Sequence, residues 1–412
     1  MKKLWFLVLF PLTVSAQKAD TLRYLPYLQT LVKNGKRPLE FVKEKLSSHP
    51  LLIFDDGLHS AADPFVFYQQ IASDTSISRK LNIFLEVVPS NSQKYINAYL
   101  NSPVCDSTLL FRAFQDDYST GFPYQTYFDL FKTIYHVNQI LPPNEKIKVY
   151  AVGFPVYWGG INDRQDLAAF RDALADYDFH MYQTILNIML HFQGAERGIF
   201  LTNTRHAYKA ISAKNGQLQW NCNTYFNEWN PGKTYSIRIN NATLFIESVK
   251  KLAPGTSVSA AGTERFNYHF DRMANGLWDY AADKYNNYPV AIDINHTPFG
   301  TDAYVGNLML NVKPGTKMDD AYDAVIFLKP IEQMQQTAII NYIYTPEFIS
   351  ELSRRYQLLY SQQEIDQQLK EANVKTLREL LIKMHPYSAE IVLPQVTHLS
   401  DINQWKNSKI TP

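Results

Sequence analysis

Seven short apolar runs punctuate the chain. Residues 51–54, Leu-Leu-Ile-Phe, lead into Asp55-Asp56-Gly57, and residues 81–85 lead into Glu86. Residues 147–152 end at Gly153, and 198–201 run into Thr202 and Asn203. Further runs follow at 235–239, 290–294 and 324–328. Most are rich in β-branched and aromatic residues and bounded by polar or turn residues, which predicts buried strands. Between them, apolar residues recur at helical spacing. Residues 64–71 predict a helix capped by Asp63 with Pro64 in its first turn. Residues 127–141 predict a second that stops at Pro142-Pro143. Residues 167–192 read as one long amphipathic helix. This alternation predicts an α/β fold with a mostly parallel central sheet flanked by helices. From residue 345 the pattern becomes helical and very polar, as in 361–384, and predicts a helical C-terminal extension.

The N-terminus has a different pattern. Lys2 and Lys3 precede an apolar stretch at 4–14, and Val14-Ser15-Ala16 places small residues where a signal peptidase reads. This predicts a signal peptide over 1–16 and an exported protein, periplasmic or secreted. The other reading is a buried N-terminal helix. The stretch is shorter than the ~18 residues a membrane helix needs, and no later one reaches that length, so no transmembrane segment is expected in the mature chain. Gln17, not Cys, follows the expected cut, which argues against a lipoprotein. The expected organisation is a signal peptide, an α/β domain over 17–344 and the extension over 345–412.

Composition narrows the partners. The formal net charge is +1 with no basic stripe, so nucleic acid is excluded as a partner class and a small-molecule substrate is expected. Aromatics make up 14% of the chain, including 27 Tyr, which suits a deep core and a stacking cleft. The segment Tyr157-Trp158-Gly159-Gly160 and the loop around 220–229 could each form such an aromatic lip or simply cover the core. Cys105 and Cys222 could pair in an oxidising compartment or stay as separate thiols.

Ligands of open parallel sheets bind at the carboxyl ends of the strands, so polar residues just after the apolar runs are the first candidates. The first run delivers Asp55, Asp56 and His59, the second Glu86, and the fourth Asn203, Arg205 and His206. His59 has the residue type for a general base on water, and Glu86 or Asp56 could orient its imidazole. Arg205 and His206 could polarise a carbonyl or hold an anion. The two His and the carboxylates could instead ligate a divalent metal.

The same residues resemble the motifs of the erythromycin esterases. Residues 51–60, with Asp63 beyond, resemble a first motif of strand, Gly-Glu, two residues and His. Phe84-Leu85-Glu86 resembles a strand closing on Glu. Val152-Gly153-Phe154 resembles a Gly-Phe-Asp element, and Asp178-Phe179-His180-Met181 a helical Arg-Asp-x-x-Met element. Residues 200–206 resemble the following strand with its Asn/His segment, and 322–327 a late Phe-Asp-Ala strand. The wider group includes ChaN-like haem-binding lipoproteins and Tiki-type metal-dependent peptidases. The resemblance implies an esterase-like hydrolase acting on an ester or lactone. His59 would be the general base and Glu86 its carboxylate partner, with Asp56 in place of the motif Glu and His206 in the same cleft. Arg205, Asp178 and His296 would contact substrate, His296 standing for a later His of the family. No metal or cofactor is required by that mechanism. The alternative the group implies is a non-catalytic haem- or metal-binding protein of the ChaN-like type. Four positions depart from the pattern: Asp55 for Gly, Asp56 for Glu, Pro155 for Asp and Tyr177 for Arg.

Overall fold

The computed structural model describes residues 22–385, except 58, 118–119, 212, 215–216, 242, 250–264 and 307–311. The expected signal peptide lies outside the described residues. The seven apolar runs form the seven strands of one sheet. These are β1 (Leu51–Asp55), β2 (Leu81–Pro89), β3 (Lys148–Gly153), β4 (Arg197–Thr202), β5 (Thr234–Ile239), β6 (Val290–Asp293) and β7 (Ala324–Phe327). Their spatial order is β6-β7-β5-β1-β4-β2-β3. Every neighbouring pair is parallel except β6 with β7. The protein is thus an α/β fold with a mostly parallel sheet flanked by helices.

Burial on both faces explains why the strands read as unbroken apolar runs. Along β1, Leu52 and Phe54 join one core, with Phe65, Tyr68, Tyr127 and Phe131, while Leu51 and Ile53 join the opposite core, with Phe200, Trp278 and Phe299. The strand period of two makes this division. Each fully buried side chain of this kind contributes about 1.5–3 kcal/mol. Asp55, the last residue of β1, is also fully buried. Its carboxylate accepts from Tyr322 Oη at 2.6 Å, Thr204 Oγ1 at 3.0 Å and Gly57 N at 2.7 Å, and Arg238 of β5 lies 3.7 Å away. Asp55 therefore ties strands together at the carboxyl edge.

The helices depart from the sequence reading in detail. Helix α1 (Ala62–Ser73) is capped by Ala61, and Asp63 sits inside its first turn. The Asp63 carboxylate instead accepts from Gln335 N at 2.7 Å and pairs with Lys329, tying the helix to the loop after β7. Helix α2 (Gln125–Ile140) packs on α1. The stretch read as one long helix is two, α3 (Arg164–Ala173) and α4 (Tyr177–Met189), joined by a 3-10 turn at Leu174–Asp176. That turn lets α4 approach the end of β3, where Asp178 and His180 sit. Helix α5 (Thr204–Ala207) follows β4, and α6 (Cys222–Trp229) packs against α4. After residue 345, α7 (Pro346–Leu359) places Phe348, Ile349, Leu352 and Tyr356 in the same core as β1 and β2. Arg355 of α7 is fully buried, 2.9 Å from Glu351, with its guanidinium 4.6 Å over the Trp158 ring. Trp158 therefore packs inward and donates from Nε1 to the Asp117 carbonyl at 2.6 Å, leaving Tyr157 as the exposed ring of that segment. Cys105 is exposed and Cys222 buried, and both are free thiols. Among the described residues no helix is long and apolar enough to cross a membrane.

Candidate active site

β1, β4 and β2 are neighbours, so their carboxyl ends meet at one place. β1 leads to Asp56 and His59, β4 to Asn203, Arg205 and His206, and β2 carries Glu86. Glu86 lies inside β2, not after it. The pairing of β2 with β3 shifts register between Leu85 and Pro89, and this irregularity turns Glu86 out of the ladder. Gly153, at the end of β3, makes room for it: a Cβ there would lie 2.4 Å from the Glu86 carbonyl oxygen and 2.8 Å from that of Val88.

Five ionisable groups form a chain centred on Glu86. His59 Nδ1 is 3.1 Å from Asp56 Oδ2, and its Nε2 is 3.4 Å from Glu86 Oε1. His206 mirrors this, with Nδ1 2.6 Å from Asp178 Oδ1 and Nε2 3.1 Å from the same Glu86 Oε1. The other oxygen, Glu86 Oε2, accepts from the Thr202 hydroxyl and from Asn203 N at 3.2 Å. Burial alone would raise the Glu86 carboxyl. His206 and then His59 outweigh it and hold the group well below the usual carboxylate range. Burial pushes Asp56 up to about 6, against the pull of His59. Burial opposes a charge on His206, but Asp178 and Glu86 push it up to about 10, so it is an imidazolium at neutral pH.

Two observations on His59 disagree. Burial opposes its charge, yet Asp56 and Glu86 push it up to about 10. The hydrogen bonds say otherwise. Asn203 caps α5 by accepting from Arg205 N through Oδ1 at 2.8 Å, which turns its Nδ2 toward the site. Nδ2 then donates to His59 Nε2 at 2.8 Å and to Glu86 Oε1 at 3.3 Å. A donor at 2.8 Å requires a lone pair on Nε2, so we assign His59 as neutral, with its proton on Nδ1 toward Asp56. The amide geometry carries more weight because Glu86 Oε1 is already paired more closely with His206.

The cluster opens into a cavity of about 250 Å³ lined by His59, Glu86, Asn203, Arg205 and His206 on the polar side and Phe122, Phe154, Val156, Leu174 and Tyr177 on the apolar side. Asp117 also lines it. His59, Glu86, Asp56, His206, Arg205 and Asp178 are all gathered here, but in different positions. Asp56 and Asp178 stand behind the two imidazoles, and Asp178 also accepts from Cys222 N at 2.8 Å, so it orients His206 and does not line the cavity. Arg205 is exposed at the mouth. His296 is not brought in. It follows β6, the one antiparallel strand, whose carboxyl end faces the opposite edge of the sheet. Asn203 was a strand-end candidate that was given no role, and the apolar wall was not singled out from sequence. Asn203 had a signal, since it stands at the same strand end as Arg205 and His206. Asp117 and Phe122 come from a loop that carries no such mark.

Among the described residues no group of three His, Cys, Asp or Glu side chains is placed to hold a metal ion. Each ring nitrogen of His59 and His206 faces a carboxylate or an amide, and His180 Nε2 faces the Ser90 hydroxyl at 3.1 Å.

Comparison of structures places the chain with known α/β proteins. A crystal structure described as a succinoglycan biosynthesis protein matches with a TM-score of 0.51 and 9% identity, over 78% of this chain and 98% of that one, and shares its fold. A mutant of an erythromycin esterase in its open conformation matches with a TM-score of 0.46 and 10% identity, over 71% and 96%. ChaN of Campylobacter jejuni, described with cofacially bound haem, matches with a TM-score of 0.31 and 10% identity, over 56% and 91%. No protein-family model and no curated protein matches the chain.

Proposed function

We propose that the protein is an exported hydrolase that adds water to the carbonyl of a small ester or lactone. The carrying observation is the pair of unlike histidines on Glu86, one neutral with its Nε2 lone pair accepting from Asn203 Nδ2 at the cavity and one charged. A water that displaces the Asn203 amide from His59 Nε2 gives that nitrogen a proton as the water oxygen bonds to the carbonyl carbon. Asp56 and Glu86 stabilise the imidazolium this creates, as a carboxylate does in a triad. His206, already charged, faces the growing negative charge on the carbonyl oxygen. The carbonyl–alkoxide bond then breaks, and His59 returns the proton to the leaving oxygen. The apolar wall of Phe122, Phe154 and Leu174 fits the hydrocarbon part of a substrate. A cavity of about 250 Å³ lies below the ~300–1,000 Å³ of sites for drug-sized ligands, which favours a compact ester.

The test is a hydrolysis screen over small esters and lactones with His59→Ala and Glu86→Gln beside wild type. Wild type should turn over at least one substrate, and both folded variants should lose ~10²–10⁴-fold in rate. Folded variants that match wild type would remove the mechanism. Export is tested by N-terminal sequencing of protein recovered outside the cytoplasm, with Gln17 expected first.

A further inference from the structure

A third histidine lies one wall away from this cavity, and it faces a hydroxyl. Ser90 follows Pro89 at the carboxyl end of β2 and opens the 3-10 turn Ser90–Ser92. Its Oγ is 3.1 Å from His180 Nε2. Burial lowers the affinity of His180, on α4, for a proton, and the Gly153 backbone carbonyl acts the other way. A carbonyl can only accept, so it favours a tautomer with the ring proton toward Gly153. The ring's other nitrogen is then a lone pair, and the Ser90 hydroxyl donates to it. Thr184 Oγ1 is a more distant neighbour of the same nitrogen at 3.5 Å. Phe154, which lines the cavity, packs edge-on to the His180 ring at 5.4 Å. Both Ser90 and His180 are half-buried and so within reach of a small reagent.

Nucleophile, neutral base and a third group fixing the tautomer of the base are the three parts of an activated serine. We infer that Ser90 is a nucleophile activated by His180, able to take an acyl group from an activated ester independently of His59. In that step Ser90 Oγ bonds to the carbonyl carbon and the ester carbon–oxygen bond breaks. The Ser90 proton passes to His180 Nε2 and from there to the departing alkoxide. Water hydrolyses the resulting ester and frees Ser90. Asp56, Glu86 and Asp178 take no part, since they face the other two histidines.

The experiment is labelling of the full-length protein with a fluorophosphonate probe, in which Ser90 Oγ displaces fluoride from phosphorus, followed by peptide mass mapping. The expected result is one adduct on Ser90, absent in Ser90→Ala and formed ~100-fold more slowly in folded His180→Gln. Labelling by wild type should also slow in deuterium oxide, a readout that needs no variant. His59→Ala should label like wild type, so loss of the hydrolysis mechanism and loss of this inference are separable. No adduct on Ser90, an adduct elsewhere, or a rate unchanged by His180→Gln and by deuterium would overturn it.

Discussion

At the scale of single residues, the site depends on which nitrogen carries a proton. Asn203 is the residue that decides it for His59. Its Nδ2 donates to the His59 lone pair, and its Oδ1 is held by the α5 cap. Replacing it with Ala removes the donor that favours the neutral ring and leaves Asp56 and Glu86 to favour the charged one. The expected outcome for Asn203→Ala is a loss of ~10²-fold in hydrolysis at pH 7, recovered progressively as pH is raised toward 10. A pH–rate profile measures it, and a parallel loss at every pH would mean that Asn203 binds substrate instead. Asp178 tests the other ring. It approaches His206 more closely than Glu86 does, at 2.6 Å against 3.1 Å, and Asp178→Asn should lower the His206 pKa from about 10. An NMR titration of the imidazole carbons reads that shift directly.

At the scale of elements, the position of Glu86 is a product of two strands. The register shift in β2 turns it outward, and Gly153 in β3 leaves the space the shifted backbone occupies. Gly153→Ala places a Cβ against two carbonyl oxygens of β2, so the strands must separate. The expected outcome is a loss of activity larger than the loss of stability, read as kcat against thermal midpoint. A Phe54→Ala change acts in the opposite proportion. It empties a fully buried aromatic site in β1 and should cost about 3–5 kcal/mol in a denaturant titration, with little change in kcat of the folded fraction. The elements also show what the sequence could reveal. Strands buried on both faces announce themselves as apolar runs, so the sheet and the gathering of His59, Glu86, Asn203 and His206 were legible. The direction of a strand leaves no such trace. His296 follows an apolar run like the others, and only the antiparallel pairing of β6 sends it to the far edge. The break at Leu174–Asp176 was hidden for a similar reason, because a 3-10 turn keeps nearly the spacing of the helices it joins. It nevertheless decides the site, since it sets the helix that carries Asp178 and His180.

At the scale of the whole molecule, the buried charge chain links folding to pH, and the sign follows from the histidines. An unfolded His titrates near 6.5, and His206 in the fold is pushed up to about 10. Its contribution to stability is therefore complete below the unfolded value and is lost as pH rises toward 10. Glu86 works at the other end. Its folded carboxyl lies well below its usual range, so its contribution is present above the unfolded value and is lost only as acid reaches the folded one. Between pH 7 and 8 the slope counts protons, because each extra proton held by the folded state removes about 1.4 kcal/mol of stability per pH unit. If only His206 is charged at rest, the folded state holds one extra proton. If His59 is charged as well, it holds two. Urea titrations at pH 7.0, 7.5 and 8.0 should give a fall of about 1.4 kcal/mol per unit. A fall near twice that value would mean His59 rests as an imidazolium, and the proposed base would then be available only in the minor, deprotonated state. The interval stays below the pH at which unfolded thiols ionise, so Cys222, whose thiol burial holds protonated in the fold, adds little. The same measurement on Glu86→Gln removes the charge both histidines share, and its slope should be shallower than that of wild type.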